Sequence, residues 1–169
     1  KGRPSDNPLI VHIAEFSDME RVAKTIPEQA KKLADAFWPG PLTMIVWKSD
    51  AVPSATTGGM DTVAVRMPNH PVALDLIRKS GCLIAAPSAN TSGRPSPTEA
   101  QHVAEDLSGR IAMILDGGPV GIGIESTIID LTCQPPRLLR AGGLPLEELE
   151  RVLGTVLVDK CITQLMTDG

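Results

Sequence analysis

The chain has 169 residues, 42% of them apolar, and a formal net charge of −4. That length suffices for one domain with a sizeable core. The modest negative charge excludes a whole-chain electrostatic pull toward nucleic acid or anionic membrane, so any anion site must be a local cluster. Two Trp, two Phe and no Tyr leave too few rings for a base-stacking platform. Cys82, Cys133 and Cys161 are widely spaced and form no CxxC, which points to a reducing compartment, hence the cytoplasm, rather than to a disulfide frame or a zinc site. No apolar run reaches the roughly 20 residues of a membrane-spanning helix, nor does any segment read as a secretion signal, so the chain is expected to be soluble.

The first element follows a polar opening, “KGRPSDN”: the β-rich run “LIVHI” (9–13) predicts a strand, and Ser17 with Glu20 reads as a capping box that opens a short helix. “PEQAKKLADAFW” predicts a second helix, with Pro27 suited to the first turn and Ala30, Leu33, Ala34 and Phe37 at helical spacing, stopped by “PGP” at 39–41. “LTMIVWK” predicts a strand, “SATTGGMD” a polar loop, and “TVAVRM” a strand that carries Arg66. “NHPVALDLIRKSG” predicts a helix capped by Asn69 and ended by Gly81, and “CLIAA” is continuous enough for a buried strand. After the turn “PSANTSGRPSPT”, Thr98 and Gln101 repeat the capping box ahead of the helix “EAQHVAEDL”. “IAMILD” predicts a strand leading to “GGPVGIG”; “STIIDL” and “PRLLR” predict two more, and “LPLEELERVLG” a last helix. Helices and strands alternate early and strands pair late, which predicts an α/β (α+β layered) domain with a mixed sheet over residues 1–154. Residues 155–169 begin strand-like, then lose their pattern, and are expected to open a linker.

Four loops, “KGRPSDN”, “SATTGGMDT”, “PSANTSGRPSPT” and “GIGIEST”, collect polar residues beside strand ends. In layered α/β folds ligands sit where such loops converge, although each loop alone reads equally as a plain turn. “GGPVGIG” is neither a Walker loop nor a dinucleotide fingerprint, since a strand follows it; it suits a lid or a close backbone approach to a ligand, with a plain loop as the alternative. Arg66 and Arg140 interrupt or end apolar strands, where a cation needs an anion or a hydrogen-bond cage; a structural ion pair is the alternative. His12 is by default a satisfied core histidine with a ligand role as the second option, and no role falls to His70 or His102. Ser88 lies in no GxSxG elbow, and no metal-ligand cluster stands out. Glu105 with Asp106, and Glu147 with Glu148, read as solvated helix faces.

As a set, “KGR” (1–3), “PGPLT” (39–43), “VAVRMP” (63–68), “APSANTSGRPSPT” (86–98) and “GIESTIID” (123–130) resemble the YrdC/YwlC family of threonylcarbamoyl-AMP synthases, in order and spacing along nearly the whole chain. The resemblance implies a YrdC/RibB-like three-layer fold with a twisted mixed sheet around a large, positively lined cavity. It implies that L-threonine, bicarbonate or CO2, and ATP join as L-threonylcarbamoyladenylate with release of pyrophosphate, Mg2+ riding on the phosphates. It further implies a tRNA threonylcarbamoyltransferase complex that passes the group to adenosine 37 of tRNAs reading codons that start with A, as t6A. Carried over by motif, Lys1 and Arg3 are the catalytic cations. Lys1, Arg3, Asn7, Thr62, Ser88, Asn90, Ser96 and Arg140 fall where the family binds ATP, and His12, Arg66, Ala86 and Ser126 where it holds threonine. The family's segment before “KxR”, with its “PTET-YGL”-type loop, is absent, so the chain reads as a fragment. Two other readings compete: a non-catalytic module binding tRNA or double-stranded RNA, and a carbamoyl-transfer domain of a larger enzyme.

Overall fold

The computed structural model describes residues 1–121 and 123–162; Ile122 of “GGPVGIG” and residues 163–169 of the tail lie outside them. The strands are β1 (Ile10–His12), β2 (Leu42–Trp47), β3 (Thr62–Arg66), β4 (Ile84–Ala86), β5 (Thr127–Asp130), β6 (Arg137–Arg140) and β7 (Leu157–Val158). They form one seven-stranded sheet in the order β4-β1-β3-β2-β5-β6-β7. Pairings are mixed: β1–β3, β2–β5 and β6–β7 are parallel, while β1–β4, β2–β3 and β5–β6 are antiparallel. The helices are α1 (Met19–Val22), α2 (Glu28–Phe37), α3 (Ser54–Thr57), α4 (Pro71–Ser80), α5 (Ala100–Leu107) and α6 (Leu146–Leu153).

Side chains alternate across a strand, and here the alternation separates two chemistries. Val11, Met44, Val46, Val63, Val65, Ile129 and Leu138 are buried on the core side with Ala30, Leu33 and Ala34 of α2 and Leu149 of α6. The alternate positions Ile10, His12, Ile45, Ala64, Arg66 and Ile128 line a cleft, and a register shift opposite Ile128 and Ile129 brings Arg140, two residues from the buried Leu138, to the same side. One face of the sheet therefore builds the core and the other builds the site.

Several local expectations are corrected. The box read at Ser17 and Glu20 is not formed; Asp18 instead accepts from the backbone N–H groups of Ala14 and Glu15, each at 3.1 Å. The cap of α4 is His70, whose Nδ1 accepts from Val72 N at 3.2 Å, not Asn69. Ahead of α5 the Thr98–Gln101 box gives way to contacts of Thr98 with His102, because Glu99 takes the N-cap position. “CLIAA” yields β4 on the sheet edge, with Ala85 exposed, because it pairs only with β1. “IAMILD” forms no strand among the described residues: with no partner strand to take its backbone groups, Ile111, Met113 and Leu115 stay 43%, 75% and 55% exposed. The strand-like start of the tail is β7, and Val156 and Ile162 are buried in the core.

Candidate active site

Register fixes the site. His12 pairs with Arg66, Arg66 with Thr43, Thr43 with Ile128, and Ile128 with Arg140. Directly paired residues project to the same face, so one row across five strands carries His12, Arg66, Thr43, Ile128 and Arg140. The next row inward, Ile10–Ala64–Ile45, is small or apolar. A polar row beside an apolar row forms the floor of a cleft of about 480 Å³. The walls are loops, with lining atoms from Arg3, Asn7 and Pro8, from both ends of the segment Ala86 to Pro97, and from Val120 and Gly123 to Ser126.

Three arginines, Arg3, Arg66 and Arg140, face this cleft against one carboxylate, Glu125. Each is held by backbone oxygen rather than by an acid. Arg66 Nε donates to Gly40 O at 3.1 Å, Arg3 Nη2 to Pro8 O at 2.7 Å, and Arg140 Nε to Ser126 O at 3.0 Å. Arg140 Nη2 also donates to Ser126 Oγ at 3.1 Å, and that hydroxyl meets Thr43 Oγ1 at 2.8 Å. No carboxylate among the described residues lies within 4.0 Å of any of the three, which removes the structural ion pair as the reason for Arg66 and Arg140. Burial pushes the Arg66 guanidinium below its ordinary value, and the charge of Arg140 adds to it; burial lowers Arg140 too, against the opposing pull of Glu125. Both remain cations, because an arginine stays protonated at any ordinary pH. Two partly desolvated cations raising each other's energy are relieved by an anion between them.

His12 is half-buried on the cleft floor rather than in the core. Its Nδ1 lies 3.2 Å from Ile84 O; a carbonyl only accepts, so Nδ1 carries the proton and Nε2 is left as an acceptor. Burial holds this imidazole below its usual value, with Arg66 adding to the effect and the Ile84 bond opposing it.

Lys1 lies just behind the wall. Its Nζ donates to Ser88 O at 2.8 Å and Asn90 O at 2.7 Å, which leaves one N–H direction open. Burial, then the charge of Arg3, lowers its proton affinity. The structure thus gathers Arg3, Asn7, His12, Arg66, Ala86, Ser88, Ser96, Ser126 and Arg140 around one cleft. Lys1 and Asn90 brace the Ser88 loop from outside, and Thr62 sits on the cleft face of β3 one step beyond the lining. Sequence reasoning passed over Glu125, whose Oε1 accepts from Ser96 Oγ at 3.2 Å, and Thr43, which is fully buried at the middle of the row. The strand-period pattern of “LTMIVW” could have placed Thr43; nothing local marked Glu125. No group of three or more His, Cys, Asp or Glu that could hold a metal occurs among the described residues. A more open cavity of about 550 Å³ beside α5 is lined by Glu99 and Asp116 without a cation, the wrong sign for an anionic ligand.

A mixed sheet that presents to a cleft arginines with no acid partner among the described residues defines an α/β domain whose cleft chemistry suits small anionic ligands. The chain belongs to the Sua5/YciO/YrdC family, whose profile, described as “Telomere recombination”, matches residues 1–142. It is similar to the threonylcarbamoyl-AMP synthase of Pyrococcus abyssi, 61% identical over 96% of this chain and 48% of that protein. To the Bacillus subtilis synthase it is 59% identical, over 95% of this chain and 46% of the relative. The crystal structure of P. abyssi Sua5 complexed with L-threonine superposes with a TM-score of 0.94 at 61% identity, covering 96% of this chain and 48% of that one. Escherichia coli YciO shares the fold at a TM-score of 0.76 and 22% identity, over 86% of this chain and 71% of that one. The chain spans about half the length of the two synthases.

Proposed function

We propose that this chain is the nucleotide- and threonine-binding part of an enzyme that makes L-threonylcarbamoyladenylate from L-threonine, bicarbonate or CO2, and ATP. The observation that carries the reading is the cross-strand row: two half-buried guanidiniums, unpaired by any acid among the described residues, on the cleft face beside a neutral imidazole. Relatives named threonylcarbamoyl-AMP synthase at about 60% identity, and one solved with L-threonine, support it.

In this reading Arg66, whose terminal nitrogens make no hydrogen bond among the described residues, takes the threonine carboxylate in a bidentate pair. His12 Nε2, Ala86 and Ser126 frame the rest of the amino acid. The ammonium gives a proton to water and the free amine adds to the carbon of CO2, losing a second proton to water as the carbamate anion forms; a carbamate oxygen then attacks the α-phosphorus of ATP and the bond to the pyrophosphate leaving group breaks. No protein nucleophile is needed. The protein supplies alignment and positive charge where pyrophosphate develops: Lys1 and Arg3 on the phosphates, with Asn7, Thr62, Ser88, Asn90, Ser96 and Arg140 around the nucleotide. ATP enters as its Mg2+ complex. The product passes to a tRNA threonylcarbamoyltransferase complex in the cytoplasm for t6A formation; no helix among the described residues is long and apolar enough to cross a membrane.

The test is pyrophosphate release by the full-length protein with each substrate omitted in turn. Release only when ATP, threonine and bicarbonate are all present is expected; equal release without threonine refutes the reading.

A further inference from the structure

We infer that Asp106, on α5 and outside the cleft, is the positioning residue of the phosphate-binding loop 88–94, setting where the Lys1 ammonium meets the triphosphate. The inference rests on the nucleotide half of the reading above.

The Asp106 side chain is only 9% exposed and faces the loop rather than solvent, which corrects its expected place on a solvated face. One carboxylate oxygen accepts from Thr91 N at 2.8 Å and the other pairs with the Arg94 guanidinium. Those anchors bracket a tight turn in which Arg94 N donates to Thr91 O at 3.1 Å. Inside the turn, Asn90 Nδ2 donates to Thr91 O and Arg94 O, both at 2.9 Å. Asn90 is 6% exposed, and its Oδ1 has no hydrogen-bond partner among the described residues. The turn then meets the other end of the site: Ser92 N donates to Lys1 O at 3.0 Å, and Lys1 Nζ is held by the carbonyls of Ser88 and Asn90.

Asp106 therefore reaches the ammonium through a short, fully named chain of bonds: carboxylate, Thr91 amide, Asn90 carbonyl, Lys1 Nζ. It also acts on Lys1 directly, as the negative charge that opposes the loss of proton affinity caused by burial and Arg3. The same contacts, first the Thr91 N–H and then Arg94, hold the Asp106 carboxyl below its usual value, so it is charged at neutral pH. A carboxylate that shapes a turn and fixes the charge of the lysine that the turn holds is placed to act on the nucleotide more than on threonine, whose charged and imidazole partners, Arg66 and His12, stand on β3 and β1.

Asp106→Ala removes both anchors; Asp106→Asn keeps an oxygen for Thr91 N–H and removes the charge. The full-length variants are titrated with AMPPNP by calorimetry and assayed for KM toward ATP and threonine. Expected is a Kd for AMPPNP and a KM for ATP raised about 10-fold by Asp106→Ala, the size of one charged hydrogen bond, and less by Asp106→Asn, with KM for threonine within twofold. If Asp106→Ala does not fold, a nucleotide-only effect in Asp106→Asn carries the result. A parallel rise in both KM values with a lowered Tm, or wild-type nucleotide affinity in both variants, overturns the inference. Should the wild type release no pyrophosphate, the synthase reading fails while the AMPPNP series still decides the role of Asp106. Wild-type protein that binds no AMPPNP overturns both.

Discussion

Two histidines show what side-chain identity means only in context. His12 sits in an apolar run and His70 opens a helix, and neither placement told its role. His12 owes its neutral form to burial, which sets a pH dependence with a definite sign. Its folded-state value lies below the ordinary histidine value of about 6.5. As pH falls through that ordinary value, the unfolded chain takes up a proton that the folded chain does not. Stability from this group is thus complete above about pH 6.5 and lost progressively below it. The expected outcome is a Tm that falls between about pH 7 and 5.5 in the wild type and falls less in His12→Gln; equal slopes contradict the assignment. His70 has two jobs, because its Nδ1 caps α4 and its Nε2 lies 3.0 Å from Gly117 O. His70→Ala is expected to cost about 1 kcal/mol in denaturant unfolding, whereas His70→Asn, a good cap, costs a few tenths. Both variants should speed amide exchange over residues 117–121, because asparagine is too short to reach Gly117. Wild-type protection in His70→Asn would contradict a role for the Nε2–Gly117 contact in holding that segment.

At the scale of elements, periodicity was informative and partnership was not. α2 and β2 are where Ala30, Leu33 and Ala34, and the run from Leu42 to Trp47, put them, since an amphipathic stripe or a strand-rich run is a local property. “CLIAA” and “IAMILD” look alike as sequences, yet only the first finds a neighbour, β1; ladder bonds belong to pairs of segments. Caps failed for a related reason: Ser, Thr and Asn next to a helix start compete with neighbours one residue away, and His70 and Asp18 won. The polar loop after Val52 hides the one-turn helix α3, which ends on Gly58 at φ 61°. A Cβ at Gly58 would lie 2.3 Å from Asp6 O, in the loop that carries Arg3 and Asn7 into the cleft, whereas Gly59, at φ 84°, has nothing within 4 Å. Alanine at either is strained by about 1–3 kcal/mol, but only Gly58→Ala should also raise KM for ATP, by moving the Arg3 loop. Equal KM values in the two variants would detach that loop from nucleotide binding.

Across the whole molecule, the site exists because six segments distant in sequence meet on one face of one sheet. Single-residue reasoning left Arg66, Arg140 and His12 undecided between structure and function. Pairing register decides their common location, as His12, Arg66 and Arg140 lie in one row only when β1, β3, β2, β5 and β6 stand in that order. The motif set “KGR”, “VAVRMP”, “APSANTSGRPSPT” and “GIEST” was legible earlier because it bears on the same residues as an ensemble. Glu125 and Asp106 were not, since a carboxylate beside a helix or loop carries no local mark of what it faces. The net charge of −4 hid a cleft with three arginines and one carboxylate, because a cavity focuses its own charges whatever the chain total. The central claim is that the Arg66 end of this row holds the amino acid. Its most direct test is threonine-dependent pyrophosphate release by the full-length protein and its Arg66→Ala and Arg66→Lys variants, at saturating ATP and bicarbonate. The expected result is no threonine-dependent release in Arg66→Ala, and a KM for threonine raised about 10-fold or more in Arg66→Lys, since an ammonium cannot form the bidentate pair, with Tm near that of the wild type. A wild-type KM for threonine in Arg66→Ala would contradict the account.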